Sequence, residues 1–256
     1  MAVRCHNLLE IMRCLLIDNS NTRTKFAIGT ENELKPLAAR IPTRDLSPTT
    51  LTEALQGESY DCVYLCSVVP EKAALMAEFF QNCPFHKLSY QSDLGIQIDY
   101  PKPEQIGADR LANAIGVHHL FRSPAIVIDF GTAVTFDVVG ADATYLGGVI
   151  APGLPSMTDY LANRTALLPK IELSEPTSAI GKSTVDAMHV GAVYGYRGLV
   201  REIIHKLRDE MPGDPVIVAT GGDAELIAQG VEEIQHVSPI LTLEGIRIAA
   251  TRHFQS

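Results

Sequence analysis

The sequence predicts an α/β fold built from two related halves, and three observations carry that prediction. First, two segments 111 residues apart follow one pattern. Leu15-Leu16-Ile17 ends in Asp18, passes a small polar turn with Thr22 and returns through Phe26-Ala27-Ile28. Ile126-Val127-Ile128 ends in Asp129, turns at Gly131-Thr132 and returns through Val134 to Val139. Each is an apolar run, a turn and a second β-type run, so each half is expected to open with a β-hairpin. Second, strand-like and helix-like runs alternate along the chain. Third, 256 residues with 46% hydrophobic side chains can bury a core without disulfides or a structural metal.

In chain order, residues 1–11 read as an extension, because Met12 directly precedes the first strand, Cys14 to Ile17. A strand over Tyr60 to Val69 and a helix over Glu71 to Gln81 follow, with Pro70 and Glu71 suited to the first helical turn. A proline-rich loop, Tyr100 to Pro103, leads into a helix from Ala108 to Phe121. Further helices are expected over Ser156 to Ala162 and within Thr184 to Glu210, the latter broken by Gly191, Gly195 and Gly198. The strand Val216 to Ala219, the turn Thr220-Gly221-Gly222 and a helix from Ala224 to Gln229 complete the pattern. The halves are expected to span residues 12–117 and 118–256.

Composition narrows the function. The formal net charge is −9 and no Lys/Arg run exceeds two, which argues against a non-specific nucleic-acid or anionic-membrane role. An acidic chain still binds a nucleotide where cations and backbone N–H groups screen the phosphates. The five cysteines, Cys5, Cys14, Cys62, Cys66 and Cys83, are odd in number and form no CxxC pair. On one strand, Cys62 and Cys66 would stand roughly 13 Å apart, too far to bridge, so reduced thiols and a cytoplasmic location are expected. No run approaches the length of a membrane span.

The chemistry concentrates at a few places. One Asp at a strand end is ordinary turn chemistry. Two of them, each before a Thr-bearing turn, would form paired phosphate cradles whose carboxylates hold screening cations. Gly107-Ala108-Asp109-Arg110 opens a helix, where Asp109 would serve either as an N-terminal cap or as acceptor of a substrate hydroxyl's proton. Arg110 would grip an anionic or hydroxyl group, and Gly107 would let the substrate come close. Gly147 to Gly153 is too glycine-dense for a strand interior and reads as a tight connection or a backbone wall beside a ligand. Thr220-Gly221-Gly222-Asp223 reads as a βα turn that could admit adenine or ribose. Gly181-Lys182-Ser183 mimics a P-loop tail, but the earlier glycine falls on Pro176. His118 and His119 point in different directions on a helix and suit no metal pattern.

Together these residues resemble the type III pantothenate kinases of the actin–hexokinase-like superfamily, from about Met12 to Ala250. Asp18 to Lys25 resembles the first phosphate motif, D-x-G-N-T-x-x-K; Gly107 to Arg110 resembles G-x-D-R; Asp129-Phe130-Gly131-Thr132 resembles the second phosphate motif. Ser67 to Pro70, Gly147 to Gly153, Gly181 to Thr184 and Thr220 to Gly222 fall in the family's order. The resemblance implies duplicated ribonuclease-H-like, actin-like domains with mixed sheets flanked by helices and an active site in the interdomain cleft. It implies ATP-dependent phosphorylation of pantothenate to 4'-phosphopantothenate, the first step towards coenzyme A.

In residues, the resemblance makes Asp109 the general base and gives pantothenate to Tyr100, Gly107, Ala108, Arg110 and Thr184. It gives ATP to Asp18, Asn19, Ser20, Asn21, Thr22, Arg23, Thr24, Lys25 and Thr132. Asp129 would hold a monovalent cation, K⁺ or NH₄⁺, Asp18 would lie near Mg²⁺, and the protein would be a homodimer. Where the family has glycine this chain has Ser20, whose Cβ is expected to crowd the phosphates or strain a turn that favours positive φ, with its hydroxyl free to donate to a phosphate oxygen. Ser20 is also what would favour a nucleotide-binding regulatory protein without turnover; a phosphotransferase with another acceptor is the other alternative.

Overall fold

A computed structural model of the protein describes residues 12–255, so the expected extension over 1–11 lies outside the described residues. The chain opens with a hairpin, β1 (Cys14–Asn19) and β2 (Arg23–Gly29), extended by β3 (Leu34–Pro42). α1 (Pro48–Ala54), β4 (Cys62–Ser67), α2 (Pro70–Phe79) and β5 (Phe85–Lys87) follow, then a short β6 (Gln97–Ile98) and α3 (Ala108–Leu120). The second hairpin is β7 (Ala125–Phe130) and β8 (Ala133–Val139), extended by β9 (Thr144–Pro152). α4 (Leu154–Arg164), α5 (Thr184–Glu210), β10 (Val216–Gly221), α6 (Ala224–Ala228), β11 (His236–Val237) and α7 (Leu241–Gln255) complete the chain.

The strands form two mixed sheets, ordered β3-β2-β1-β4-β5 and β11-β10-β7-β8-β9-β6. Apart from β6 they repeat one plan: an antiparallel three-strand meander, then parallel strands added on the other side of its first strand. The repeat seen in the hairpins therefore extends to whole sheets. Asp18 and Asp129 are each the fifth residue of a six-residue strand, so both carboxylates reach the same end of equivalent strands.

Helix α3 ties the sheets together. Leu111, Ala112 and Ile115 join the core beneath β1 and β4, while Ala114 and Val117 join the core beneath β7, β8 and β10. α1 and α2 cover the outer face of the first sheet, and α4, α5 and α6 that of the second. α7 returns from the C-terminal end to pack on α3 and the first sheet. No helix among the described residues is long and apolar enough to cross a membrane.

Two expectations are corrected. α5 is one unbroken helix of 27 residues. Gly191, Gly195 and Gly198 lie on its exposed side, while Val193, Tyr196, Val200 and Ile204 form a continuous buried stripe that holds it. Burial of that stripe outweighs the roughly 1 kcal/mol each glycine costs in a helix. The glycine-dense segment is also a strand: β9 pairs with β8 along its length, with a register shift at Val138/Val139 beside Gly147, whose φ is +117°. Sequence patterning passed over β3, α1 and α7 as elements, and all three are present.

α3 and α7 approach through Gly116 and Gly245. A Cβ on Gly116 would lie 2.8 Å from the Leu241 carbonyl, and one on Gly245 would overlap the Ala112 carbonyl. Gly245→Ala is therefore expected to destabilise the fold by about 1–3 kcal/mol, the scale of overpacking, read as a lower urea midpoint with unchanged slope.

Candidate active site

The two hairpin tips meet. The Thr22 and Thr132 hydroxyls, from opposite halves, are 2.7 Å apart and hydrogen-bonded. Behind Thr22, buried Asp18 pairs through Oδ2 with Lys25 Nζ at 3.3 Å, and its Oδ1 accepts the Ser20 hydroxyl at 3.1 Å. Ser20 is not strained: among the described residues only Ala143 is a non-glycine with positive φ. The expected backbone strain is absent because the turn bends through ordinary backbone geometry, and the hydroxyl serves Asp18. Asn19 and Thr24 face inward: Asn19 Nδ2 donates to Thr24 Oγ1 at 2.8 Å and Ser67 Oγ donates to Asn19 Oδ1 at 2.6 Å. Those two side chains hold the hairpin, whereas Asn21, Thr22 and Arg23 are exposed at its tip.

Asp109 stands in the first turn of α3. It is not the N-cap residue; that position is Gly107, and Asp109 Oδ1 accepts the Arg110 N–H at 2.8 Å. A Cβ on Gly107 would lie 2.5 Å from that oxygen, so the glycine makes room for the carboxylate of Asp109. Ala108 is buried in the core below. Asp129 Oδ2 accepts from Asn113 Nδ2 at 3.2 Å, and Asn113 Oδ1 accepts the Thr242 hydroxyl at 2.8 Å.

The three carboxylates share one electrostatic environment. Burial raises the proton affinity of Asp109 above the ordinary aspartate range, its neighbouring N–H draws it back, and the charge of Asp18 raises it again. Asp129 is pushed up to about 6, chiefly by burial, with the charges of Asp18 and Asp109 adding to the effect against the Asn113 hydrogen bond. Burial pushes Asp137, on β8, up to about 7 while Arg110 pulls it down. Four carboxylates thus face the cationic side chains of Lys25 and Arg110. A site so short of positive charge suits added cations, and a polyphosphate bound there would need them.

Arg110 does not stand free. Its Nε donates to Asp137 Oδ1 at 2.6 Å and its Nη2 to the Phe136 carbonyl at 3.3 Å. The Tyr145 ring lies 5.8 Å from the guanidinium, and Tyr100 packs 6.3 Å from Tyr145. Asp137, Tyr145 and Asn113 were not singled out in the sequence; the one available signal was an Asp within the apolar run of the second hairpin. Thr184 is exposed at the start of α5, and its hydroxyl makes no hydrogen bond among the described residues. His118 and His119 bond to Ser123 and the Ile115 carbonyl, in keeping with a structural role. Among the described residues no three His, Cys, Asp or Glu side chains make a metal cluster, so a metal here would draw ligands from a bound phosphate as well.

The sequence pattern of the type III pantothenate kinases matches residues 14–206. The type III pantothenate kinase of Akkermansia muciniphila is 57% identical over 239 residues, covering 93% of this chain and 98% of that one. That of Methylacidiphilum infernorum is 44% identical, covering 91% and 86%. Among solved structures, component A of (R)-2-hydroxyglutaryl-CoA dehydratase from Acidaminococcus fermentans superposes with a TM-score of 0.55 at 14% identity, covering 95% of this chain and 98% of that one. An archaeal actin homolog superposes with a TM-score of 0.52 at 12% identity, covering 94% and 100%. At such identities these two likenesses speak for the fold alone, an actin-like ATPase fold.

The raised proton affinity of Asp129 has a stability consequence. A carboxyl whose folded pKa exceeds its unfolded value favours folding below about pH 4 and loses that contribution as pH rises through about 6. Asp129→Asn should therefore match the wild type near pH 4 and exceed it at pH 7 by on the order of 2–3 kcal/mol. Denaturant melts without ATP, in a tetramethylammonium buffer, measure this difference.

Proposed function

The chain belongs to the type III pantothenate kinase family, and from that premise we propose which of its residues perform the transfer. The enzyme is an ATP-dependent phosphotransferase that makes 4'-phosphopantothenate, with ATP and pantothenate as substrates and a divalent metal accompanying the nucleotide. The observation that carries the residue assignment is that Asp18, Asp109 and Asp129 lie close enough to act on one another's charge, near the point where the two hairpin tips meet.

Asp109 is the general base. Its Oδ1 is engaged by the Arg110 N–H, which leaves Oδ2 to accept the proton of the pantothenate hydroxyl as that oxygen attacks the γ-phosphorus. The bond to the bridging oxygen of ADP breaks, ADP leaves with the electron pair, and the proton passes from Asp109 to solvent. Raised proton affinity suits this task, since a base closer to neutrality takes a proton more readily. Lys25, exposed by 38% and held by Asp18, is free to turn to a phosphate, and Thr22, Thr132 and the tip N–H groups frame it. Mg²⁺ beside Asp18 and K⁺ or NH₄⁺ at Asp129 would supply charge neutralisation to the transferring group. Asp129 Oδ1 fits the second role because only Oδ2 is taken by Asn113. Tyr100 and Arg110 receive pantothenate on the far side of Asp109.

A homodimer completes the reading. Ile150, Met157, Tyr160, Leu167, Ile180 and Val185, on or beside β9, α4 and the start of α5, are exposed by 40% or more, an apolar set that a second copy would cover. Thr184 opens the same helix, so its proposed contact with pantothenate belongs near that interface.

Asp109→Asn is expected to fold normally and lose kcat by ~10²-fold or more in a coupled ADP-release assay. Near-wild-type turnover would discard Asp109 as the base. In the same assay, run with and without potassium and with a panel of acceptor alcohols, Asp129→Ala should abolish activation by potassium. Unchanged potassium dependence would remove Asp129 from the cation site.

A further inference from the structure

Arg110 is built into its place with unusual thoroughness. Its partner Asp137 is wholly buried on β8, directly opposite Gly148 of β9. A side chain on Gly148 would collide with the Phe136 carbonyl and stand 2.8 Å from Arg110 Nη2, so the glycine is the opening through which the guanidinium reaches β8. Asp137 Oδ1 also accepts the Tyr145 hydroxyl at 3.3 Å, and Oδ2 accepts the Thr135 hydroxyl at 3.4 Å. The three side chains that hydrogen-bond to Asp137 among the described residues, Arg110, Tyr145 and Thr135, all donate to it.

Packing alone does not account for this arrangement. A buried ion pair repays its desolvation poorly, and apolar side chains of similar volume serve a core as well or better. Its geometry serves the guanidinium instead. With Nε tied to Asp137 and Nη2 to the Phe136 carbonyl, Nη1 is left without a hydrogen-bond partner among the described residues. The same arginine follows Asp109 in the chain and lies against Tyr145, which in turn neighbours Tyr100.

We propose that Asp137 is a positioning residue for the acceptor substrate: by fixing the Nε edge of Arg110, it aims the remaining N–H donors of that arginine at pantothenate beside Asp109. Because the carboxylate largely cancels the arginine's charge, Arg110 contributes a directed donor more than a free cation. The proposal rests on the assignment of Arg110 to pantothenate, and its consequence is selective: losing Asp137 disturbs the acceptor and leaves the nucleotide alone.

The test is a double-mutant cycle of Asp137→Asn and Arg110→Ala, with KM for pantothenate and for ATP measured separately and folding checked by thermal melts. Asp137→Asn should raise the pantothenate KM ~10-fold or more while the ATP KM stays within about twofold, the scale of one charge-assisted contact. The double variant should be no worse than Arg110→Ala alone, because Asp137 acts through Arg110. An unchanged pantothenate KM in Asp137→Asn, or effects that multiply in the double variant, overturns the proposal while Arg110→Ala still reports on Arg110. If Arg110→Ala itself leaves the pantothenate KM unchanged, the assignment of Arg110 falls and the proposal with it. Should Asp137→Asn fail to fold, Tyr145→Phe removes one donor to the same oxygen; a few-fold rise in pantothenate KM alone supports the proposal, and no change overturns it.

Discussion

The mutual repulsion of Asp18, Asp109 and Asp129 persists in the folded protein because α3 is packed against both sheets at once. Leu111 and Ile115 on one face and Ala114 and Val117 on the other are completely buried, so the helix cannot shift away from either hairpin without opening a core. Asp109 is carried at the N-terminal turn of that helix, Asp18 and Asp129 at equivalent ends of β1 and β7. Burial first, and the neighbouring carboxylates after it, raise the proton affinity of Asp109 and Asp129, and at neutral pH this is a cost borne by the apolar layers around them. A site crowded in this way gains from any cation that binds beside its carboxylates.

The paired hairpins turn one local solution into a two-sided site. Each sends a carboxylate to the penultimate position of a central strand and a threonine to the following turn. The turns differ: Ser20 to Thr22 separate β1 from β2, whereas Gly131 and Thr132 alone separate β7 from β8. The longer first turn is what lets Thr22 reach across to Thr132. That hydroxyl pair can be exchanged for hydroxyl–phosphate bonds at little cost, since each hydroxyl both donates and accepts. The cleft is thus closed at its tip by a contact that a phosphate can replace in kind.

How much of this was legible in the sequence follows from the range of each interaction. The hairpins were legible because a strand, a turn and a strand are written within about 15 residues, and their repetition exposed Asp18 and Asp129 together. Asp109 was legible as a helix-opening carboxylate, though not how its side chain folds back over Gly107. Asp137 was not, because its meaning depends on Arg110, 27 positions away, and on the gap that Gly148 leaves in a neighbouring strand. The glycines misled in both directions. In α5 they suggested breaks that the buried stripe overrides, and in β9 they suggested a loop where the absent side chains admit an arginine. Ser20 misled by analogy, since a glycine in relatives does not mean that this turn uses glycine's left-handed conformation.

The Lys25–Asp18 and Arg110–Asp137 ion pairs differ in a way that suits the two proposed roles. Lys25 and Asp18 meet at 3.3 Å, and the lysine is 38% exposed, so its ammonium is weakly committed and can follow a mobile polyphosphate. Arg110 and Asp137 meet at 2.6 Å with the arginine side chain 11% exposed, a fixed geometry that cannot follow anything. A nucleotide whose terminal phosphoryl group must travel is suited by the first kind of partner. An acceptor hydroxyl that must wait beside its base, in line with the phosphorus, is suited by the second, because attack depends on angle as well as distance. The asymmetry of the two pairs is in keeping with the proposed roles, nucleotide at the hairpin tips beside Lys25 and acceptor beside Arg110.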